Sequence, residues 1–528
     1  MSELIKRIRE TYDELPYLSS AFMQSAPEHL HAVAHLFGLD TPAPASARVL
    51  ELGCAAGGNL IPFAARHPAA RALGVDLSGV QVEAGNRAIQ AMGLDNIELR
   101  HTSITELGED LGEFDYIICH GVYSWVPEDV REAILRVSRR HLAANGVAYI
   151  SYNTYPGWKA KEVVRDAMLL RSGPRETPQE KLSYARGMID FLHDMARDDS
   201  VLKKIMQENI AMIRHGHDHY LSHEFLELCN APCYFRDFIE SAGRHGLGYL
   251  AEADITGMFA SNHGSKAAEL LLRECNGSQL ALEQLLDFLN NRTFRQTLLV
   301  AAERTAGIRY GLGESRFADL QLAGHFTAAD EDAQGELWKA TTGLQLRMGS
   351  PIARQIVHQL NASWPATVAV AELIRAARDA AADPQAAQAE VLSVVENLVI
   401  YGAVRLRRAP LRTPADADDG RPHVPAALRR LLALQRSTPV PISLYNTWHE
   451  PLADPGPVAS VLLPLLDGEH DRAMLIAALR ESARRGEVSF LREGQPITGD
   501  AAIDAAAAEH VDSSLRQMAA QALFMTSA

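Results

Sequence analysis

The stretch from Ala47 to Arg66 constrains this chain more than any other. A strand-like run, Ala47 to Leu52, is followed by a turn with glycines at 53, 57 and 58, and then by the largely apolar helix-like stretch Asn59 to Arg66. The alternation then repeats. Strand-like runs at 72–76, 96–100, 114–119 and 146–152 are separated by helix-like segments at 79–92 and 127–142. Strands spaced by helices pair in parallel, because each helical crossover carries the chain back to the end of the sheet where the previous strand began. The predicted fold is therefore α/β, a doubly wound, Rossmann-like sheet whose ligand lies beyond the carboxyl ends of the strands. Two later segments, 234–254 (helix, glycine stop and strand) and the strand candidate 292–300, are candidates to close that sheet.

At 528 residues the chain exceeds a single core. The expected organisation is an N-terminal helical lid over 1–42 and a catalytic domain over 43–305. That domain carries a helical insertion at about 165–290, of which 165–232 would lie over the sheet as a lid or dimer surface. A winged-helix-like domain follows over 306–412, and a helical C-terminal domain over 413–528. The five cysteines, few and odd in number, suit a reducing compartment. No apolar run approaches the roughly 18 residues of a membrane span, and the first ten residues do not resemble a signal peptide, so a cytoplasmic location is expected. A net charge of −15 argues against a nucleic-acid partner, since such affinity rests on clustered Lys and Arg.

The glycine turn carries the chemistry. Gly53, Ala55 and Gly57 allow a tight bend and close approach of a ligand to the backbone, and Asn59 opens the helix. Glu51, two residues before Gly53, can answer an ammonium. Asp76, followed by Leu77, ends the second strand, where a carboxylate can accept both hydroxyls of a ribose. Glu51 and Asp76 together favour S-adenosylmethionine (AdoMet) over a nicotinamide dinucleotide or a degenerate, non-binding domain. Ser103 and Ile104 follow the third strand. In class I AdoMet-dependent methyltransferases, whose first two motifs Glu51 and Asp76 resemble, that place usually holds an acid against the adenine amine. The resemblance implies an adenine contact here with Ser103 in the acid's stead.

Two more strand ends are dense in aromatic and hydrogen-bonding side chains. The fourth is followed by His120, Tyr123 and Trp125, and the fifth by Tyr152, Asn153 and Trp158. With Tyr12 and Tyr17 from the lid, they make a candidate acceptor site. Tyr17, His120, Tyr152 and Asn153 are the candidate catalytic groups, with His120 also placed beside the cofactor. Tyr12, Tyr123, Trp125 and Trp158 are the candidate substrate contacts.

The strings 12–17, 51–59, 119–127 and 151–158 resemble class I AdoMet-dependent methyltransferases with an appended methyltransferase regulatory domain. The strings 246–254 and 291–298 are similar to the regulatory region itself. Within that group the layout resembles the rickettsial protein lysine methyltransferases that modify outer-membrane proteins. The resemblance implies methylation of lysine side chains on a protein substrate, a homodimer and a winged-helix-like C-terminal module. A small-molecule N- or O-methyltransferase and a non-catalytic AdoMet-sensing scaffold are the alternatives. His215, His217, His219, His223, Cys229 and Cys233 form the one metal-like cluster, but the Cys spacing is no zinc signature and no metal is expected.

Overall fold

The computed structural model describes residues 3–14, 17–173, 177–201, 203–206, 221, 224–329, 336–412, 420–438, 440–492 and 494–524. The centre of the fold is a seven-stranded sheet in the order β3-β2-β1-β4-β5-β7-β6. Its strands are β1 (Arg48–Leu52), β2 (Arg71–Asp76), β3 (Ile97–His101), β4 (Phe114–Cys119), β5 (Leu142–Asn153), β6 (Leu247–Glu252) and β7 (Phe294–Ala301). The first five pair in parallel, and β7 runs antiparallel between β5 and β6. The sheet is thus completed by two strands far along the chain, from the segments the sequence offered for them. β1 and β4 are nearly or wholly buried, as strands covered on both faces must be, which is why most of their residues are apolar.

The helices are α1 (Glu3–Glu14), α2 (Pro27–Leu36), α3 (Leu60–Arg66), α4 (Gly79–Met92), α5 (Glu128–His141), α6 (Gly157–Ser172) and α7 (Pro178–Met195). Local chemistry sets their ends. The Ser78 hydroxyl accepts the Gln81 N–H and starts α4, which stops at Gly93 with φ +73°. α5 has Glu128 and Asp129 in its first turn and Arg139 and Arg140 in its last, matching the helix dipole at both ends.

After β5 the chain leaves the sheet through α6 and α7. It returns at Cys233, which bridges Thr154 in a parallel pair. Helix Phe235–Arg244 precedes β6, and helix Gln279–Asn290 lies in the connection between the antiparallel strands β6 and β7. Inside this region Arg295 is fully buried and meets Glu252 (2.8 Å), Asp287 (2.8 Å) and Glu283 (3.2 Å), while its guanidinium lies 3.8 Å from the centre of the Phe235 ring.

Beyond 306, helices Pro351–Ser363, Val370–Ala380 and Pro384–Ile400 pack with a small antiparallel sheet of 321–323, 368–369 and 405–407. Helices Ala426–Ser437, Gly456–Leu462 and Arg472–Arg484 follow, then a hairpin of 491–492 with 495–496 and the long helix Asp500–Ala520. Their apolar faces join the core of the sheet domain. Among the described residues no helix is long and apolar enough to cross a membrane.

Candidate cofactor and acceptor site

A cavity of about 480 Å³ opens at the carboxyl ends of β1, β2, β4 and β5, within the range of small-molecule sites. The glycine turn forms its floor. Gly53 (φ +77°) faces Val122 so closely that a Cβ would stand 2.4 Å from a Val122 methyl. Ala55 also holds a positive φ, +49°. Asp76 stabilises this turn by accepting the Ala55 N–H on Oδ2 (2.8 Å), while its Oδ1 accepts the Ser78 N–H (2.8 Å). Burial raises the Asp76 carboxyl, and these backbone amides pull it back down.

Glu51 accepts Asn59 Nδ2 on Oε1 at 2.8 Å. Its second oxygen, Oε2, is buried and has no hydrogen-bond partner among the described residues. Burial pushes this carboxyl up to about 8, with the Asp76 charge adding and the Asn59 amide opposing. A buried orphan carboxylate oxygen is costly unless a cation answers it. The α-ammonium of a methionine moiety fits that demand, and the paired acceptors of Asp76 fit a ribose diol. Leu77, Ser103 and Ile104 line the adjoining wall. The Ser103 hydroxyl lies 2.8 Å from Thr105 Oγ1 and caps the short turn that follows.

The lid segment closes the other side. Ile5, Ile8, Tyr12 and Tyr17 line the cavity with Ser19, Ser20 and Phe22. A Cβ on Gly58 would lie 2.2 Å from the Ser19 carbonyl oxygen, so the absence of a side chain there lets lid and turn touch. His120 packs its ring 3.9 Å from that of Phe22, and its Nδ1 lies 2.8 Å from the Tyr149 hydroxyl. Burial lowers His120 to about 4, so it is neutral at pH 7.

At the acceptor end Trp125 and Trp158 meet edge to face, 6.2 Å apart. Asn153 donates from Nδ2 to Asn230 Oδ1 (3.1 Å), and its own Oδ1 has no protein donor among the described residues. The Lys161 ammonium stands 5.1 Å from the centre of the Trp158 ring and 3.6 Å from Glu224.

Of the residues singled out in the sequence, three do not line this cavity. Tyr152 points to the opposite face of β5 from Asn153, as strand alternation requires. Its hydroxyl lies 3.1 Å from Thr297 Oγ1 and its ring stacks on Phe238 at 4.1 Å. Tyr123 packs edge-on against Phe238 at 5.2 Å in the same core. Gly57 (φ +78°) shapes the turn from below, its Cα facing Leu99. Sequence reasoning had no periodic or motif signal for Phe22, Lys161 or Glu224, and it gave Phe294 only as part of a strand, yet all four belong to the walls. His215, His217, His219 and His223 lie outside the described residues. Cys229 and Cys233 are free thiols, and no metal-binding group of three or more ligands occurs among the described residues.

Strand order, glycine turn, Glu51 and Asp76 together define a class I methyltransferase that uses S-adenosylmethionine. Comparison with known proteins agrees. Residues 49–146 match the methyltransferase domain family, 217–301 the predicted methyltransferase regulatory domain, and 421–523 the PKMT C-terminal winged helix domain. The last match falls on the stretch read from sequence as purely helical rather than on 306–412. The chain is 32% identical over 499 residues to the uncharacterized protein RP789 of Rickettsia prowazekii, covering 92% of this chain and 88% of that one. It belongs to that family. It also resembles the solved structure of PKMT2 from Rickettsia typhi, with a TM-score of 0.85 and 27% identity over 96% of this chain and all of that one. PKMT2 in complex with AdoHcy matches with a TM-score of 0.84 at 26% identity, again over 96% of this chain and all of that one.

Proposed function

We propose that the enzyme methylates lysine side chains of a protein substrate. The observation that carries this reading is the seat of Lys161, whose ammonium rests over Trp158 and beside Glu224 in the wall of the cavity. Ring face and carboxylate here hold the chain's own Lys161, and the same chemistry in the cavity wall suits a lysine head group brought by a substrate. The PKMT name of the similar rickettsial structure points the same way.

S-adenosylmethionine supplies a methyl group on a sulfonium, a strong leaving group, so the protein's task is to deliver a neutral amine in line. With an ordinary lysine pKa near 10.4, about one amine in 2,500 is neutral at pH 7, a cost of about 4.6 kcal/mol. Desolvation in the closed part of the cavity disfavours the charged form and lowers that cost, whereas ring faces and carboxylates hold the ammonium before it is deprotonated. Asn153 Oδ1 accepts an amine N–H and so aims the lone pair. Well-aligned reactants gain about 7–11 kcal/mol over free ones, so alignment supplies much of the acceleration. Tyr12 and Tyr17, both held protonated by burial, act as neutral hydroxyls. Neutral His120, lowered to about 4, does not store the released proton, which passes to water. Incubating the enzyme and labelled AdoMet with protein and metabolite acceptors tests the reading. Label on lysine side chains supports it, and label confined to small molecules overturns it.

A further inference from the structure

The C-terminal module reaches the cofactor site through His449. This residue stands 390 positions after Asn59, yet its Nε2 lies 2.9 Å from Asn59 Oδ1. Its other ring nitrogen, Nδ1, lies 2.8 Å from Arg66 Nη2. A guanidinium can only donate, so Nδ1 is the acceptor and Nε2 carries the proton. Burial, with the positive charge of Arg66, drives His449 well below its usual range and keeps the ring neutral. Its tautomer then fixes its neighbour. Asn59 must present Oδ1 to His449, which turns Nδ2 towards Glu51.

Both ends of this contact are held from behind. Arg66 is anchored on Glu28 (3.0 Å). His449 occupies the left-handed region at φ +60°, a conformation that a non-glycine residue keeps only when its surroundings impose it. Its loop is imposed by Arg407, which donates to the Thr447 carbonyl (2.8 Å), and by Trp448, which donates to the Pro365 carbonyl (3.0 Å). The same C-terminal segment grips the lid. Ser19 N–H donates to the Pro441 carbonyl (2.7 Å), Ser443 N–H donates to the Ser19 carbonyl (2.9 Å), and the Ser20 and Ser443 hydroxyls meet at 2.6 Å. Ser19 in turn accepts the Gly58 N–H on its hydroxyl (2.7 Å). Two other donors reach Asn59 Oδ1, Phe22 N–H and the Ser25 hydroxyl, both at 3.1 Å, and both belong to this gripped segment.

We propose that His449 is a positioning residue for cofactor binding, acting through Asn59 to aim the Glu51 carboxylate at the ammonium of AdoMet. The methyltransferase domain is thereby incomplete without the C-terminal module. The inference rests on the AdoMet site derived above. The test is calorimetric AdoHcy affinity, with AdoMet KM and kcat, on the full chain and on His449→Phe, His449→Asn and His449→Gln. Phe fills the space without a donor, Asn falls short of Asn59, and Gln restores a donor at similar reach.

The Phe and Asn variants should lose about 10-fold in AdoHcy affinity and raise AdoMet KM in parallel, with kcat within about twofold of the parent. Gln should recover most of the loss. A purely structural role would lower the melting temperature without this split between KM and kcat or the rescue. Unchanged AdoHcy affinity in whichever of Phe and Asn folds overturns the proposal, and so does a Gln variant as weak as Phe. A parent chain that binds no AdoHcy would overturn the cofactor site together with the proposal.

Discussion

Asp76 holds the amide of Ala55 at 2.8 Å, so the carboxylate that ends the second strand also fixes the turn that ends the first. One side chain both shapes the floor and offers acceptors to a ligand upon it. Asp76→Ala removes both. Hydrogen bonds to a charged group contribute roughly 1.5–3 kcal/mol, so AdoHcy affinity should fall on the order of 10–100-fold by calorimetry. Unchanged affinity would place the cofactor elsewhere.

Gly53→Val should abolish AdoHcy binding. The positive φ forbids a β-branched residue, and the new Cβ would collide with Val122. A folded Val variant that binds normally would refute this account of the turn.

Glu51 gives a pH signature. Its carboxyl is raised to about 8 in the cofactor-free protein, whereas an unfolded chain loses that proton in the ordinary carboxylate range. Between those limits the folded state holds the extra proton, so this group's contribution to stability is present at low pH and is lost as pH rises towards 8. The ammonium contact proposed for Glu51 requires its ionised form. AdoHcy affinity should therefore climb from about pH 5.5 to about 7.5, then level as the ligand's own α-amino group, near 7.7–8.0, loses its proton. Glu51→Gln should bind weakly with a flat profile over that range. The same climb in the Gln variant would exclude Glu51 as its source.

Asn153 and Tyr152 should separate cleanly. Asn153→Ala removes the acceptor at the cavity wall and should lower the methylation rate far more than AdoHcy affinity. Tyr152→Phe removes a hydroxyl that faces Thr297 on the other side of the strand, so the rate should stay near the parent's while stability drops by about 1 kcal/mol. A large rate loss in Tyr152→Phe with the fold intact would restore Tyr152 to the site.

Arg295→Met should be severely destabilising. It removes the cation that Glu252, Glu283 and Asp287 share and leaves only Arg292 beside the last two, a class of change that costs about 3–5 kcal/mol. Thermal unfolding measures it, and a melting temperature within a degree or two of the parent's would contradict the reading of that cluster.

The sheet and the turn that floors the cavity were legible because both are local. Parallel strands declare themselves as apolar runs, and Gly53, Glu51 and Asp76 sit at fixed offsets from strand ends. The acceptor walls were only partly legible. Tyr152 and Asn153 are adjacent in sequence, and nothing in their spacing says which of the two faces the cavity until the register against β7 is known. Lys161 and Glu224 meet across 63 positions, and His449 and Asn59 across 390, separations at which a single sequence carries no pairing signal. The winged-helix match at 421–523 was hidden for a related reason. Its hairpin has strands of only two residues each, too short to alternate visibly.

The excursion between β5 and β6 leaves and rejoins the sheet at neighbouring points, Thr154 and Cys233. An outgrowth rooted at one spot can lengthen, shorten or be exchanged while the strands beneath keep their register. Two members of such a lineage could therefore share one methyl-donor site and differ wholly in the shape of the segment above it. Diversification of the acceptor is then separable from conservation of the chemistry, because the two are written in different parts of the chain.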